Sequence, residues 1–350
     1  MTSAKVQYLM CWGRPREIDA LLSNKLRNAS FLAAMLVVAL HLPKANSGLP
    51  FWVSSLMGGG VSYVAVPFFF LMSGFFLSRH MDEDGWYGRA VRQRAKTLLI
   101  PYVVFCILNW MLSGLICSNW EFDVVSVFSL RLSEPTGYNV LWFIRALCAF
   151  VMISPCIAWA VKRWGLFFVF GCYACAPIGV AVSYFFYWTF PFNGLAMFAL
   201  GVYLRRNRID INLNRRWVAV VSGMFGIFLI VCRILMSNHG IPFSGTVRLC
   251  AVPFLMLAFW KMVPNCKWPR CIVENAFPLY LLHMVFMNLY SKTFLSGYSG
   301  ARQEFARIGL WGAVAASSLM SAVLIRKMRI SCEKKTETPF CLTLLICASK

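Results

Sequence analysis

The stretch VSYVAVPFFFLMSGFFLS occupies residues 61–78, holds no charged side chain, and is followed by the basic run RAVRQRAK at residues 89–96. Eighteen helical residues rise about 27 Å, close to the roughly 30 Å hydrocarbon core of a bilayer. A charge-free run of that length, closed by Lys and Arg, reads as a membrane-spanning helix that ends in the cytoplasm. The pattern recurs around it. Ten apolar stretches can be read in all, roughly 29–43, 61–78, 97–117, 139–161, 165–185, 188–204, 217–236, 244–262, 273–290 and 308–325. The first is short and extends back to about Leu21 if Lys25 and Arg27 reach outward to the headgroups.

Composition agrees. Of 350 residues 59% are hydrophobic and only 13% charged, about half the charged share of a soluble domain. The formal net charge of +21 invites a nucleic-acid partner. No soluble segment, however, carries a basic stripe with interleaved stacking aromatics, so no nucleic acid is expected. With the N-terminus inside, 26 of the 34 Lys and Arg residues fall on cytoplasmic segments and five on outside loops, while Arg145, Arg233 and Arg248 lie within or at the ends of spans. The alternation holds through every loop, which fixes the orientation. The expected fold class is all-α: a polytopic integral membrane protein with about ten transmembrane helices in one bundle. It is expected to be multi-pass in the plasma (inner) membrane, with N- and C-termini cytoplasmic. Residues 1–28 form a basic cytoplasmic segment without the apolar core of a cleavable signal peptide. Residues 29–326 form the transmembrane domain and 327–350 a cytoplasmic tail.

Fourteen cysteines could suggest a disulfide scaffold, but most lie in or beside apolar runs. Cys172 and Cys175 have redox or metal spacing, yet no His, Asp or further Cys stands near them in sequence. They read as packing residues, and no metal site is expected.

An ionisable residue at a helix centre in a bilayer costs about 2.5–3.5 kcal/mol and is a functional candidate by default. His41 closes the first span, and Arg27 lies fourteen residues before it. One helix would place them about 21 Å apart on a common face, a phosphate-binding cation toward one side and a proton acceptor toward the other. An interfacial His above a topology anchor is the alternative. Ser73 and Gly74 end the second span after Pro67, where freed backbone groups need partners or a cavity; a packing kink would also explain them. Arg92 and Arg94 can hold phosphates through forked hydrogen bonds, or only fix topology and touch anionic lipid. Trp142 and Arg145 open the fourth span near the outer face, suited to a polar or acidic substrate or to snorkelling. His283 ends the run FPLYLLH at 277–283 near mid-membrane, a worse place for an idle imidazole.

Taken in order, these segments resemble the acyltransferase-3 family of membrane O-acyltransferases, which modify surface polysaccharides and related glycans. The resemblance rests on Ala33, Val37, Val38 and His41, then Phe69, Phe70, Ser73 and Gly74. Arg92, Arg94, Pro101 and Tyr102 follow, then Leu141, Trp142 and Phe143, and last Tyr280, Leu281, Leu282 and His283. Ser30 stands where the family has its first-helix Arg, with Arg27 three residues earlier, and Thr97 stands at the second place of the family's paired Arg.

The resemblance implies transfer of a short acyl group, acetyl above all, from acetyl-CoA or another acyl-CoA to a hydroxyl of a cell-surface or lipid-linked glycan. No cofactor would be bound permanently, and the partners would be the acyl-CoA donor, the saccharide acceptor and the lipid bilayer. An imidazole with a pKa of about 6.5 can take the hydroxyl proton, a role that falls to His41. Arg27, Arg92 and Arg94 would bind the donor's phosphates, and Ser73 and Gly74 would line the passage for its acyl arm. Trp142 and Arg145 would meet the acceptor, with His283 orienting the site or assisting proton transfer. A glycan exporter or flippase is the alternative from another class, although no two halves of the chain can be paired as transporter repeats. A membrane sensor is a third reading, for which no signalling domain is visible.

Overall fold

The computed structural model describes residues 18–42, 60–117, 142–178, 191–209, 216–239, 244–295 and 301–335. Among these all regular structure is helical. Helix α1 spans Ala20–Leu40 and α2 Ala65–Leu77, the latter entered through the 3-10 turn Val61–Val64. They are followed by α3 (Trp86–Arg94), α4 (Ile100–Cys117), α5 (Trp142–Met152), α6 (Ser154–Trp164), α7 (Leu166–Ala174) and α8 (Phe192–Arg206). The remainder are α9 (Arg216–Asn238), α10 (Ser244–Met262), α11 (Arg270–Val273), α12 (Ala276–Leu295) and α13 (Ala301–Lys335). The described part of each of the ten apolar stretches is mainly helical, and 139–161 holds two helices. Among the described residues, four segments can cross a membrane by length and hydropathy, Val61–His80, Trp217–Asn238, Gly245–Met262 and Phe305–Met328, or five if α5 and α6 form one broken span. The described helices support a multi-pass membrane protein without establishing a count of ten.

The expected single span over 139–161 is broken. Helices α5 and α6 meet at 69° across Ile153. Pro155 has no N–H to give the Val151 carbonyl, four residues before it. The Ser154 hydroxyl donates to that carbonyl at 2.7 Å instead, and the Tyr87 hydroxyl donates to the Met152 carbonyl at 2.8 Å. The basic run at 89–96 is helical. It lies in α3 and continues through a π-helical turn, Ala95–Leu99, into α4, where the wider register accommodates Pro101. At the other end α13 runs on to Lys335, beyond the boundary at 326. Residues 1–17, Leu141, and the tail from 336, with its apolar run at 340–348, lie outside the described residues.

The chain divides into two compact units. One comprises residues 67–213. Its α2 and α8 run antiparallel and meet backbone to backbone: a Cβ on Gly74 would lie 2.0 Å from the Phe198 carbonyl oxygen, and one on Gly201 would lie 2.0 Å from that of Leu71. Beside this crossing Phe70 packs on Phe143, Phe150 and Trp142, with ring centroids at 4.6, 5.3 and 6.2 Å.

The second unit comprises residues 19–66 and 214–350. Its α9 and α10 form an antiparallel pair in which Gly226 faces Leu255 and Phe225 meets Phe254 edge-on at 4.8 Å. Ile230, Ile234, Ala251 and Leu255 of this pair close over Val64. The span Val61–His80 is 67% buried within the protein, whereas Trp217–Asn238 is only 22% buried. The outer face of α9, with Trp217, Val220, Met224 and Phe228 exposed, is the kind of surface that lipid covers.

Candidate functional site

Helix α1 begins at Asp19, whose carboxylate accepts from the Leu22 N–H at 2.6 Å, a side-chain N-cap. Leu22, Leu26, Ala29, Ala33 and Val37 recur every three or four residues and are all buried, so they share one face. The small residues on that face let neighbouring helices approach closely. Helices α12 and α13 pack there as an antiparallel pair, pinned by Tyr290 to Ser317 at 3.0 Å and by the ion pair of Arg326 with Glu274 at 2.5 Å. The Trp311 indole N–H donates to the Met35 carbonyl at 3.0 Å and ties α13 to α1.

This frame brings two histidines together. His41 is the C-cap of α1, and its ring centroid lies 5.4 Å from that of His283 on α12, with the rings tilted by 42°. His283 is fully buried. Its Nδ1 is bonded to the Tyr280 carbonyl. A carbonyl only accepts, so Nδ1 carries the proton and Nε2 of the neutral ring presents a lone pair. Nε2 is buried without a hydrogen-bond partner among the described residues. Imidazoles so placed can accept a proton from a hydroxyl or pass one between them.

At the opposite end of α1, Arg27 is exposed and faces a cleft that Lys267 and Arg270 also line. Lys25 does not reach outward as expected. Its position falls on the buried stripe, and its ammonium lies 4.6 Å from the Trp260 ring centroid, a cation–π contact that compensates burial. Asn28 is buried and its side-chain amide donates to the Pro264 and Cys266 carbonyls, both at 2.9 Å.

The other sequence candidates belong to the unit of residues 67–213. Arg92 is exposed and Arg94 half-buried at the end of α3. Arg89, which has the paired-Arg spacing with Arg92, is already engaged by Glu83 at 2.7 Å and by the Asp84 carbonyl at 2.6 Å. The Glu83 carboxyl is held below its usual range, first by its hydrogen bond with His80 and then by Arg89. Ser73 is half-buried, whereas the open side of Gly74 is filled by the Phe198 backbone, so Gly74 is explained by the helix crossing. Trp142 joins the aromatic cluster on Phe70, and Arg145 is buried rather than snorkelling to water. Cys172 and Cys175 are both free thiols.

Two groups escaped the sequence reading. Arg205 and Arg206, counted only as inside charges, are both buried. The first lies 4.8 Å from the Phe75 ring centroid and the second is paired with Asp82. Lys267 and Arg270, likewise read as topology markers, face Arg27 across the cleft. Burial and convergence of cations depend on tertiary placement, and a loop charge count carries no such signal.

A helical membrane domain with two apposed imidazoles, one buried and one half-buried, is suited to proton abstraction in group transfer. Residues 28–327 match the acyltransferase domain family, and the chain belongs to it: this is a multi-pass membrane protein of the acyltransferase-3 family. Over 228 residues it is 22% identical to the succinoglycan biosynthesis protein ExoH of Rhizobium meliloti, covering 59% of this chain and 60% of that protein. The chain thus spans less than two thirds of that relative's length. No solved structure matches.

Proposed function

We propose that the chain moves a short acyl group, acetyl above all, from an acyl-CoA thioester to a hydroxyl of a cell-surface or lipid-linked glycan. The observation that carries this reading is the apposition of His41 and His283. The family supplies acyl transfer, and the relative's name, a polysaccharide biosynthesis protein, supports a glycan acceptor. The donor enters from the cytoplasm and the enzyme resides in the plasma membrane.

His41 acts as general base. It takes the acceptor hydroxyl's proton while the oxygen bonds to the thioester carbonyl carbon. The tetrahedral adduct collapses with cleavage of the C–S bond, and the coenzyme A thiolate leaves and takes up the proton. The products are the glycan ester and the free thiol. His283, its tautomer set by the Tyr280 carbonyl, offers Nε2 to the same hydroxyl or to His41 and orients the proton transfer. Arg27, Arg92 and Arg94 are assigned to the donor's phosphates, Ser73 to its acyl arm, and Trp142 with Arg145 to the acceptor. General acid–base catalysis by one positioned side chain contributes about a hundred- to ten-thousandfold, the scale expected of His41.

The test is mass spectrometry of surface glycans from a deletion strain and its parent. Loss of an acetyl ester from one saccharide, restored by wild type and not by His41→Ala, is the expected result. Glycans present with unchanged acylation would overturn it, and glycans missing from the surface altogether would point to export instead.

A further inference from the structure

We propose that the cleft between the first half of α1 and the segment entering α11 recognises the phosphorylated adenosine end of the donor, with Arg27, Lys267 and Arg270 on the phosphates and Trp268 under the purine. This rests on the acyl-CoA reading, which already places Arg27 on the donor's phosphates, and adds Lys267, Arg270 and Trp268, which the sequence motifs do not contain. The cavity at the floor of the cleft is about 30 Å³, room for a water-sized group such as a phosphate oxygen, so the rest of the ligand would lie across its mouth.

Three cations converge on it, and among the described residues none of the three has a carboxylate partner. The nearby acids are committed elsewhere, Asp19 to the N-cap of α1 and Glu274 to Arg326. Unneutralised Arg and Lys around a concave surface suit a polyanion, since guanidinium binds phosphate by forked hydrogen bonds and ammonium binds it as a point charge. Charges that only set topology need not converge, and their supporting loop need not be fixed. Here it is fixed. Both Asn28 hydrogen bonds bolt residues 264 and 266 to α1, which holds Lys267 and Arg270 opposite Arg27. Trp268 is half-buried and set edge-on to Phe31, with centroids 6.3 Å apart and planes at 77°. A ring held this way supplies a stacking platform for a base.

Coenzyme A carries both chemistries the cleft accepts, a 3′-phosphate with a diphosphate and an adenine. An anionic lipid headgroup shares only the phosphate, so the test separates the two. Full-length protein is titrated with adenosine 3′,5′-bisphosphate, acetyl-CoA and 3′-dephospho-coenzyme A, and separately with phosphatidylglycerol. Arg270→Ala and Lys267→Ala should each weaken binding of the bisphosphate and of acetyl-CoA by about tenfold, the loss of one charge-assisted hydrogen bond. Arg270→Lys should recover part of that loss. Trp268→Ala should weaken the adenine nucleotides by about fivefold or more and leave phosphatidylglycerol unaffected.

Lys267 and Arg270 are exposed, so their variants should keep the fold. Wild type alone gives a further check, because dephospho-coenzyme A should bind about tenfold more weakly than coenzyme A. Unchanged acetyl-CoA affinity in the Lys267→Ala/Arg270→Ala double variant, or a loss confined to phosphatidylglycerol, overturns this site while the acyl-CoA reading stands. Wild type that binds no acetyl-CoA at all overturns both.

Discussion

His41, which ends the first helix, and His283, buried in α12, bring their imidazole rings to a centroid distance of 5.4 Å. Neither ring is placed by its own neighbours in sequence. The small-residue face of α1 admits α12, and the Trp311 bond to the Met35 carbonyl holds α13 against the same helix. The Tyr280 carbonyl then sets which nitrogen of His283 is bare. The apposition of the two imidazoles is a product of three helices.

If His41 is the base and His283 its positioning partner, the two should be strongly coupled. His41→Ala should lower acyl transfer by about a hundred- to ten-thousandfold. His283→Ala should also lower it, and the double variant should be little worse than His41→Ala alone, because groups that act as a unit are not additive. His283→Gln, which returns a polar group near the Nε2 position, should retain more activity than His283→Ala. Equal loss in the two His283 variants would show that a hydrogen-bonding group there is not enough. Acyl transfer by purified protein from labelled acetyl-CoA, at matched expression, reads all four.

Asp82 and Arg206 form an ion pair in which the arginine side chain is entirely buried and the carboxylate is one-third exposed. Removing the carboxylate takes an ion-pair partner from a buried arginine, and breaking a buried pair costs about 3–5 kcal/mol; the exposure of Asp82 places the expected loss near the lower end. Asp82→Asn should therefore reduce melting temperature and yield in detergent. Adding Arg206→Met should restore part of both, since the buried charge is then gone. A double variant less stable than Asp82→Asn would overturn the assignment.

Glycine at 74 and 201 is required by the crossing of α2 with α8. An added methyl at either position meets backbone at 2.0 Å, so the helices must part. Gly74→Ala and Gly201→Ala should each destabilise by about 1–3 kcal/mol. Gly171→Ala, with nothing within 4 Å of the new methyl, should cause no loss. Thermal unfolding of the three in one detergent gives the comparison.

The existence and rough limits of the helices were legible because apolar runs bounded by charge report burial in lipid or protein directly. The break in the fourth run was not, although Pro155 was in plain view. Pro253 sits inside the unbroken α10, so proline by itself does not distinguish a break from a tolerated residue; what decides is the Ser154 and Tyr87 pairing that satisfies the opened carbonyls. Each histidine was legible as a costly residue, but their meeting was not, because nothing in the 277–283 run states that its helix faces α1. Gly74 was visible as a special position, yet its reason, the backbone of Phe198, lies far along the chain. Lys267 and Arg270 looked like any inside-facing loop charges until the fold set them opposite Arg27.

Asn28 joins that loop to α1, and on the proposed roles its removal should separate donor binding from chemistry. Its amide donates to two loop carbonyls, both belonging to exposed residues that water can serve once the amide is gone. Asn28→Ala should then cost only about 1–2 kcal/mol, one ordinary hydrogen bond's net worth or slightly more, and the loss should be local. Hydrogen exchange should rise in residues 264–270 while the α12–α13 pair keeps its protection. With Lys267 and Arg270 no longer held opposite Arg27, KM for acetyl-CoA should increase severalfold. The histidine pair is held by α12, α13 and the Met35 carbonyl and should be undisturbed, leaving kcat near wild type. A fall in kcat at unchanged KM would mean that Asn28 acts on the histidines through α1, and the loop would lose its part in donor binding.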